Sequence, residues 1–220
     1  MTKAAEVYRL LFRHFGPQHW WPADSPFEVI VGALLMPQTS WRNVEKAIGN
    51  LKRAGMLSPA AIAASRLDRL RAVVKPAGLY RTKPPRLREF CRHMMRASGG
   101  DVDAFLRRDR EALRLELLSL KGVGPETADS ILLYAAQVKV FVVDTYTRRA
   151  GRRLGLFEHE DYDSIQSYFR RNVPDDLYVY QEYHALMVAL AKHACRARPR
   201  CGACPLLEVC RHGRACSKRA

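Results

Sequence analysis

The sequence predicts an all-α protein, and three observations support this prediction. Apolar residues recur at helical spacing in nearly every segment of the 220-residue chain. Serine, proline and glycine residues stand where such helices would begin and end. Residues 138–143 have the composition of a strand, but no partner strand is evident, so we expect them to form a buried connection.

Helix boundaries follow in chain order from these signals. The N-terminal residues have the pattern of an amphipathic helix. Ser25 followed by Pro26 has the form of a capping box and predicts a helix that runs through Met36. Ser40 is expected to cap a helix that runs toward Arg53, and a further helix opens at Ser58-Pro59. The remaining predicted helices are a basic one after Pro84-Pro85 through Met95, then 111–120, 125–136, 144–154, 161–172 and 176–194.

Composition and charge limit the classes of function. The chain has 37 Lys and Arg against 22 Asp and Glu, a formal charge of +15, which favours a polyanionic partner such as nucleic acid. The alternative is a basic protein whose charge only aids solubility. The N-terminus lacks a signal-peptide core, and no segment has the length and apolarity of a membrane span. We therefore expect no membrane partner and a reducing, cytoplasmic location.

Four cysteines near the C-terminus form a compact ligand set. They follow the spacing C-x5-C-x2-C-x5-C and are Cys195, Cys201, Cys204 and Cys210. Thiolates this close in sequence can hold a 4Fe–4S cluster or a zinc ion, or can pair in disulfides. A reducing compartment argues against disulfides. Cys91 has the position of a core residue, and Cys216 lies in a basic tail without an assigned role.

Two further motifs precede the cysteines. Lys121-Gly122-Val123-Gly124 joins two predicted helices, and its two glycines allow a tight turn with exposed amides that suit a phosphate. The alternative is a plain interhelical turn. Asp144 follows an apolar run and precedes a helix, so taken alone it is interpreted as an N-cap.

Together the motifs LKGVGPETA, VVDTYTRR and the cysteine loop resemble the helix–hairpin–helix DNA glycosylases of the endonuclease III superfamily. The resemblance spans roughly residues 23–212, although the first gap between cysteines is one residue shorter than in the commonest family pattern. It implies a two-lobed fold with a DNA-binding cleft between the lobes. A six-helix barrel with the hairpin would cover 24–136. Residues 1–23 and 137–220 would form a second helical lobe that holds a 4Fe–4S cluster on the four cysteines.

The resemblance also implies the reaction. Asp144 matches the catalytic aspartate of the family, whose carboxylate stabilises the oxocarbenium-like sugar and orients water. Bifunctional members carry a lysine that forms a Schiff base where this chain has Glu126, and a carboxylate cannot form an imine. We therefore expect a monofunctional glycosylase. Its implied partner is double-stranded DNA that contains a damaged base, bound by a monomer associated with the nucleoid.

The candidate base pocket lies near the N-terminus. Trp20, Trp21 and Pro22, followed by Trp41, resemble the 3-methyladenine DNA glycosylase branch, in which aromatic residues of these two segments line the pocket. A cationic alkylated purine stacks well on indole faces. The alternative for each tryptophan is core packing. Lys192 is a further candidate that faces either the pocket or a phosphate.

The remaining candidates contact DNA. Gln38 matches a residue that family members insert where the flipped base leaves the stack, and Leu79 matches a second wedge. The expected phosphate contacts are Lys121, Gly122, Gly124 and Arg148. Two other functions stay open at this point: a monofunctional glycosylase for mismatched uracil or thymine or for another damaged base, and a DNA-binding iron–sulfur protein without catalysis.

Overall fold

The computed structural model describes residues 1–217 and confirms the all-α prediction, because this part of the chain contains no strand. No helix in it is long and apolar enough to cross a membrane. The helices are α1 Lys3–Phe15, α2 Pro26–Leu35, α3 Trp41–Arg53, α4 Pro59–Ala64, α5 Leu67–Val74, α6 Lys83–Ser98, α7 Val102–Leu106, α8 Arg110–Ser119, α9 Pro125–Ser130, α10 Thr145–Leu154, α11 Tyr162–Asn172, α12 Leu177–His193 and α13 Arg211–Ser217. A π-helical turn, Ile131–Ala135, continues α9, and short 3-10 turns cover Lys75–Ala77, Cys201–Ala203 and Leu207–Val209.

The chain divides into two compact units. One unit is Trp21–Val138 and carries α2 to α9. Its central element is α2, which is buried along nearly its whole length because its sequence PFEVIVGALL is almost entirely apolar. The Ser25 and Ser58 side chains each accept a backbone N–H of the helix that follows, so these helices start where the serines predict.

The other unit consists of Met1–Trp20 and the chain from Lys139 onward. Its core contains Phe141 stacked on Phe169, with ring centroids 4.1 Å apart, and the fully buried Tyr183 on α12. The segment Val140–Val143 is buried without regular secondary structure, as expected of a connection. The Gln166 side-chain amide donates to the Phe141 carbonyl at 2.8 Å, which satisfies one backbone acceptor there.

The helices α5, α7 and α13 were not predicted, and other boundaries differ. Arg66 precedes α5 and makes no side-chain cap bond, so the usual start signal is missing. Ser40 stands at the start of α3, but its side chain makes no cap hydrogen bond either. The helix α6 begins at Lys83 rather than after the prolines, because proline is tolerated in a first turn that needs no N–H partner. It ends at Gly99, whose φ is +63°.

Candidate functional site

Asp144 is the buried N-cap of α10. Its Oδ1 atom accepts the Thr147 N–H at 2.6 Å, and its Oδ2 atom lies 3.6 Å from Nε2 of His184. The residue is 6% exposed. Both carboxylate oxygens are therefore positioned, one by the first turn of α10 and the other by a side chain of α12.

The surroundings of Asp144 keep its carboxyl group charged. Burial alone would raise its pKa, because a low-dielectric environment disfavours the charged form. The neighbouring His184 and the N–H of Thr147 act in the opposite direction, and the pKa of Asp144 is lowered below its ordinary value. A buried carboxylate that is ionised at neutral pH can stabilise positive charge that develops close to it.

Two polar residues of α12, His184 and Glu182, hold Asp144 and the segment before Trp20 in place. The sequence analysis did not predict either contact. His184 contacts Asp144 as described. The buried carboxylate of Glu182 accepts the backbone N–H groups of Gln18 at 2.6 Å and His19 at 3.0 Å. Glu182 thereby fixes the segment that leads to Trp20. The available signal was a glutamate and a histidine two residues apart within an otherwise apolar helix.

Two of the candidate aromatic residues lie together in the unit 21–138. The rings of Trp21 and Trp41 are 5.5 Å apart and nearly perpendicular, and Tyr134 lies 5.4 Å from Trp21. A Cβ atom at Gly32 would come within 3.0 Å of the Trp21 ring, so glycine lets the indole lie against α2. The sequence did not single out Tyr134 or Gly32. We call Trp21, Trp41 and Tyr134 the aromatic cluster.

The other pocket candidates are spread over both units. Pro22 is exposed and belongs to the same unit as the aromatic cluster. Trp20 and Lys192 belong to the other unit, where Trp20 is half-buried and Lys192 is exposed on the last turn of α12.

Gln38 and Leu79 occupy loops with unusual backbone conformations. Their φ angles are +58° and +45°, a region that non-glycine residues rarely adopt. Gln38 is exposed between α2 and α3, and Leu79 and Tyr80 are 44% and 52% exposed. The buried Lys83 ammonium donates to the Ala77 carbonyl at 2.7 Å and closes the second loop, and burial lowers its pKa to about 8. Strained loops that expose such side chains are often functional.

The hairpin forms a tight turn between α8 and α9. The N–H of Val123 donates to the Leu120 carbonyl at 3.0 Å, and Gly122 has a φ of +92° that favours glycine. Lys121, Gly122 and Gly124 are exposed. A cavity of about 440 Å³ adjoins the hairpin, and its lining includes three basic side chains, those of Lys121, Arg81 and Arg86. The two arginines were not among the predicted contacts.

Arg148 lies in the other unit and already has partners. Its guanidinium donates to the Glu160 carbonyl and lies 5.7 Å from the centre of the Tyr162 ring. The side chain is half-buried, so a phosphate at this position would meet a guanidinium held in a fixed orientation.

The four cysteines of the loop line one cavity. All six cysteines lie in the described residues, and no disulfide joins any two of them, which argues against the disulfide alternative. The lining comprises Cys195, Cys201, Cys204 and Cys210 with Arg153, His212, Gly213 and apolar neighbours. Arg153 donates to Sγ of Cys195 at 3.5 Å, and the Gly213 N–H donates to Sγ of Cys210 at 3.3 Å. Such donors stabilise metal-bound thiolates.

The sulfur positions bear on the kind of metal. Ligand atoms of one tetrahedral zinc ion lie about 4 Å apart, given Zn–S bonds of about 2.3 Å. Within residues 1–217, the group of three donor atoms that all lie within 4.8 Å of one another belongs to Cys201, His212 and Cys216, and no three of the loop cysteines form such a group. Burial, with a further contribution from neighbouring thiols, raises the pKa of Cys201 and Cys204, and a bound metal centre would favour their thiolate forms. The loop therefore fits a multi-iron cluster.

Two arginines of α10 bind the cysteine loop through its backbone. Nε of Arg149 donates to the Cys195 carbonyl at 2.9 Å, and Arg153 donates to the Ala197 carbonyl at 2.9 Å. The helix that Asp144 caps is thus bonded to the loop through a residue at its middle and one in its last turn. The sequence analysis assigned no role to either arginine.

The chain is similar to curated relatives over most of its length. It is 44% identical over 208 residues to a protein of Methanocaldococcus jannaschii named "Putative DNA repair glycosylase", which covers 93% of this chain and 94% of the relative. It is 27% identical over 219 residues to the thymine/uracil-DNA glycosylase of Pyrobaculum aerophilum, across 95% of this chain and 91% of that protein.

Two solved structures of DNA repair enzymes have the same fold. The 3-methyladenine DNA glycosylase of H. pylori bound to 1,N6-ethenoadenine matches with a TM-score of 0.78 and 29% identity, over 86% of this chain and 97% of that one. A trapped endonuclease III–DNA covalent intermediate matches with a TM-score of 0.84 and 26% identity, over 99% and 100% of the two chains.

The family model described as "HhH-GPD superfamily base excision DNA repair protein" matches residues 31–175. This match confirms the resemblance to the helix–hairpin–helix glycosylases of the endonuclease III superfamily, and it supports an enzyme that acts on DNA. The chain belongs to the HhH-GPD superfamily of base excision DNA repair proteins.

Proposed function

We propose that this DNA repair glycosylase is monofunctional and releases alkylated purines such as 3-methyladenine from double-stranded DNA. The observation that carries the proposal is the buried, ionised Asp144. As the glycosidic bond breaks, positive charge develops on the sugar, and a fixed carboxylate stabilises it. The same carboxylate orients the water that attacks C1′.

The absence of a lyase step is inferred from Glu126. This residue stands on the second position of α9, where bifunctional members carry the attacking lysine, and it is exposed. A carboxylate cannot form a Schiff base with C1′. The product is therefore an abasic site in an unbroken strand.

The aromatic cluster supports the choice of base. Trp21 offers an indole whose neighbours Trp41 and Tyr134 hold it through edge contacts, and a cationic purine gains from contact with such rings. An alkylated purine is already a good leaving group and needs little recognition by hydrogen bonds. The H. pylori relative, bound to 1,N6-ethenoadenine, acts on bases of this class by its name, which favours the same class here.

The DNA contacts in this proposal come from exposed loops and basic side chains. Gln38 and Leu79 occupy the space left by the extruded base, which offsets part of the unstacking cost of a few kcal/mol. The hairpin amides with Lys121, Arg81 and Arg86 contact phosphates of the DNA, and binding weakens as salt concentration rises. We propose that the protein acts as a monomer and that its lobes are 24–136 and 1–23 with 137–220.

We propose that Cys195, Cys201, Cys204 and Cys210 hold a 4Fe–4S cluster. When bound, the cluster supplies four iron–thiolate bonds that cross-link the loop. Arg149 and Arg153 join the loop to α10, and Asp144 caps the N-terminus of the same helix. In this scheme the loop supports the orientation of α10.

A second candidate substrate is uracil or thymine in mismatches. The observation in its favour is the Pyrobaculum aerophilum relative, which matches 95% of this chain at 27% identity and is named for these bases. Such neutral bases would require hydrogen bonds to their Watson–Crick edge. The aromatic cluster favours cationic stacking instead, so we place alkylated purines first.

Base release from duplexes that each carry one lesion tests the proposal. The panel contains methylated purines, uracil and thymine mismatches and oxidised pyrimidines, each assayed with and without alkali. We expect release of 3-methyladenine and strand breaks only after alkali. Release of uracil or thymine instead would favour the second candidate, and release from no lesion would leave a DNA-binding protein without catalysis.

Borohydride trapping tests the monofunctional mechanism separately. The wild type should give no covalent adduct with lesion DNA, because no amine stands at position 126. Glu126→Lys restores an amine there and should give an adduct. An adduct with the wild type would show that another lysine attacks C1′ and would refute the mechanism.

A further inference from the structure

A second thiol and an imidazole lie beside one cysteine of the cluster loop. Sγ of Cys201, one ring nitrogen of His212 and Sγ of Cys216 all lie within 4.8 Å of one another. The Cys216 sulfur is 3.6 Å from Nε2 of His212. His212 also lines the cavity that the four loop cysteines share. Cys216 and His212 are outside that set of four, so two further candidate ligands lie beside Cys201.

The position of Cys216 is set by α13. His212 and Cys216 are four residues apart and therefore share one face of this helix. The helix packs against the turns Cys201–Ala203 and Leu207–Val209. Its first residue, Arg211, pairs with Glu158 at 2.5 Å, and the Gly213 N–H bonds to the Cys210 sulfur at 3.3 Å. Because the helix is joined to the loop at these points, its exposed thiol is held beside Cys201.

The surroundings of Cys201 differ from those of the other three loop cysteines. Within the described part of the chain, the trio of donors that could hold one ion includes Cys201 and none of Cys195, Cys204 or Cys210. Cys201 itself is half-buried, at the start of a short turn. If the bond from Cys201 to iron is lost, the Cys216 sulfur lies close enough to replace it. The trio places no such sulfur beside Cys195, Cys204 or Cys210.

We propose that Cys216 is a reserve ligand that replaces Cys201 on the iron–sulfur cluster, with His212 beside it. The inference rests on the cluster proposed above. The exchange breaks one iron–thiolate bond and forms another: the Cys201 sulfur leaves and takes up a proton, and the Cys216 thiol loses a proton as its sulfur binds iron. The charge of the site does not change, and the step needs no oxidant or reductant. The full set of four thiolates is preserved.

Iron and sulfide contents of cysteine variants test the proposal. The full-length protein is produced with sufficient iron, purified without oxygen, and analysed for iron, sulfide and the visible absorption of the cluster. We expect Cys201→Ala to keep a cluster content close to that of the wild type. The matched control Cys195→Ala should lose the cluster, and the double variant Cys201→Ala/Cys216→Ala should lose it as well.

A second readout reports on Cys216 directly. The cluster-loaded proteins are treated with iodoacetamide, and alkylated peptides are identified by mass spectrometry. Cys216 should react in the wild type, where its thiol is free and exposed, and should be protected in Cys201→Ala, where it binds iron. Far-ultraviolet circular dichroism of each variant establishes that the helices are retained.

The outcomes separate this inference from the cluster itself. Loss of the cluster in Cys201→Ala to the same extent as in Cys195→Ala would overturn it, even with a loaded wild type. A cluster that persists in Cys201→Ala while Cys216 is alkylated freely would also overturn it. A wild type without iron and sulfide would refute the proposed cluster, and the reserve ligand with it.

Discussion

Asp144 has two roles that two substitutions separate. It caps α10 through the bond from Thr147 N–H to Oδ1, and it carries the negative charge that the proposed reaction needs. Asp144→Asn keeps an oxygen that accepts the N–H but removes the charge. Asp144→Ala removes both.

The expected magnitudes follow from these contacts. Asparagine is about as good an N-cap as aspartate, so the capping contribution to the free energy of unfolding should change by less than about 0.5 kcal/mol in Asp144→Asn. Asp144→Ala should lower it by about 1 kcal/mol, within a range of roughly 0.5–2 kcal/mol. Loss of a preorganised group that stabilises transition-state charge costs about 10²–10³ in rate, and both variants should show this loss.

The assay pairs single-turnover base release with urea unfolding. Single turnover isolates bond cleavage from product release. DNA affinity should be retained in both variants, because a buried carboxylate makes no phosphate contact. The reasoning is refuted if Asp144→Asn releases base at the wild-type rate, or if Asp144→Ala is as stable as Asp144→Asn.

The lowered pKa of Asp144 has consequences for pH. A carboxyl group with a depressed pKa contributes stability that is present above its unfolded pKa, about 3.9, and is lost as the pH falls through the folded pKa. Activity should therefore persist down to weakly acidic pH.

In His184→Leu the carboxylate of Asp144 loses its neighbour, the pKa of Asp144 rises, and the acid limb of the pH–rate profile should move to higher pH. The control His184→Gln keeps an N–H donor and should move the limb less; equal limbs in all three proteins would contradict the role of His184.

The remaining predictions concern packing and stability. Gly32→Ala places a methyl group about 3.0 Å from the Trp21 ring and should lower the rate of alkylated-base release by roughly 3- to 10-fold, with little loss of stability, as measured by kcat/KM and thermal unfolding. Arg114→Met leaves the fully buried Asp129 carboxylate without its bidentate partner at 2.7 and 3.2 Å, and should cost roughly 3–5 kcal/mol in urea unfolding. Arg107→Met, which breaks an exposed pair, should cost less than about 1 kcal/mol and serves as the control.

Local signals in the sequence predicted the elements that local chemistry decides. Ser25 and Ser58 mark the starts of α2 and α4, because caps act within a few residues. The short helices α5 and α7 were missed, since eight and five residues carry little periodicity.

Side chains that meet across long stretches of chain could not be found in this way. His184 reaches Asp144 from a helix that begins more than 30 residues later, and its own neighbours in sequence give no sign of this partner. Arg149 and Arg153 are recognisable only as basic residues until their carbonyl partners in the cysteine loop are known. Tertiary contacts decide these roles, and a single sequence contains no direct record of them.

The bonds from α10 to the cysteine loop predict how such a chain can change during evolution. Arg149 and Arg153 donate to carbonyl groups that the loop holds in place. A lineage that loses the four cysteines also loses that backbone geometry, and the two half-buried guanidinium groups are then left without acceptors, which is unfavourable. Replacement of both arginines should therefore accompany the disappearance of the cysteines, so that the two sets of positions covary among relatives.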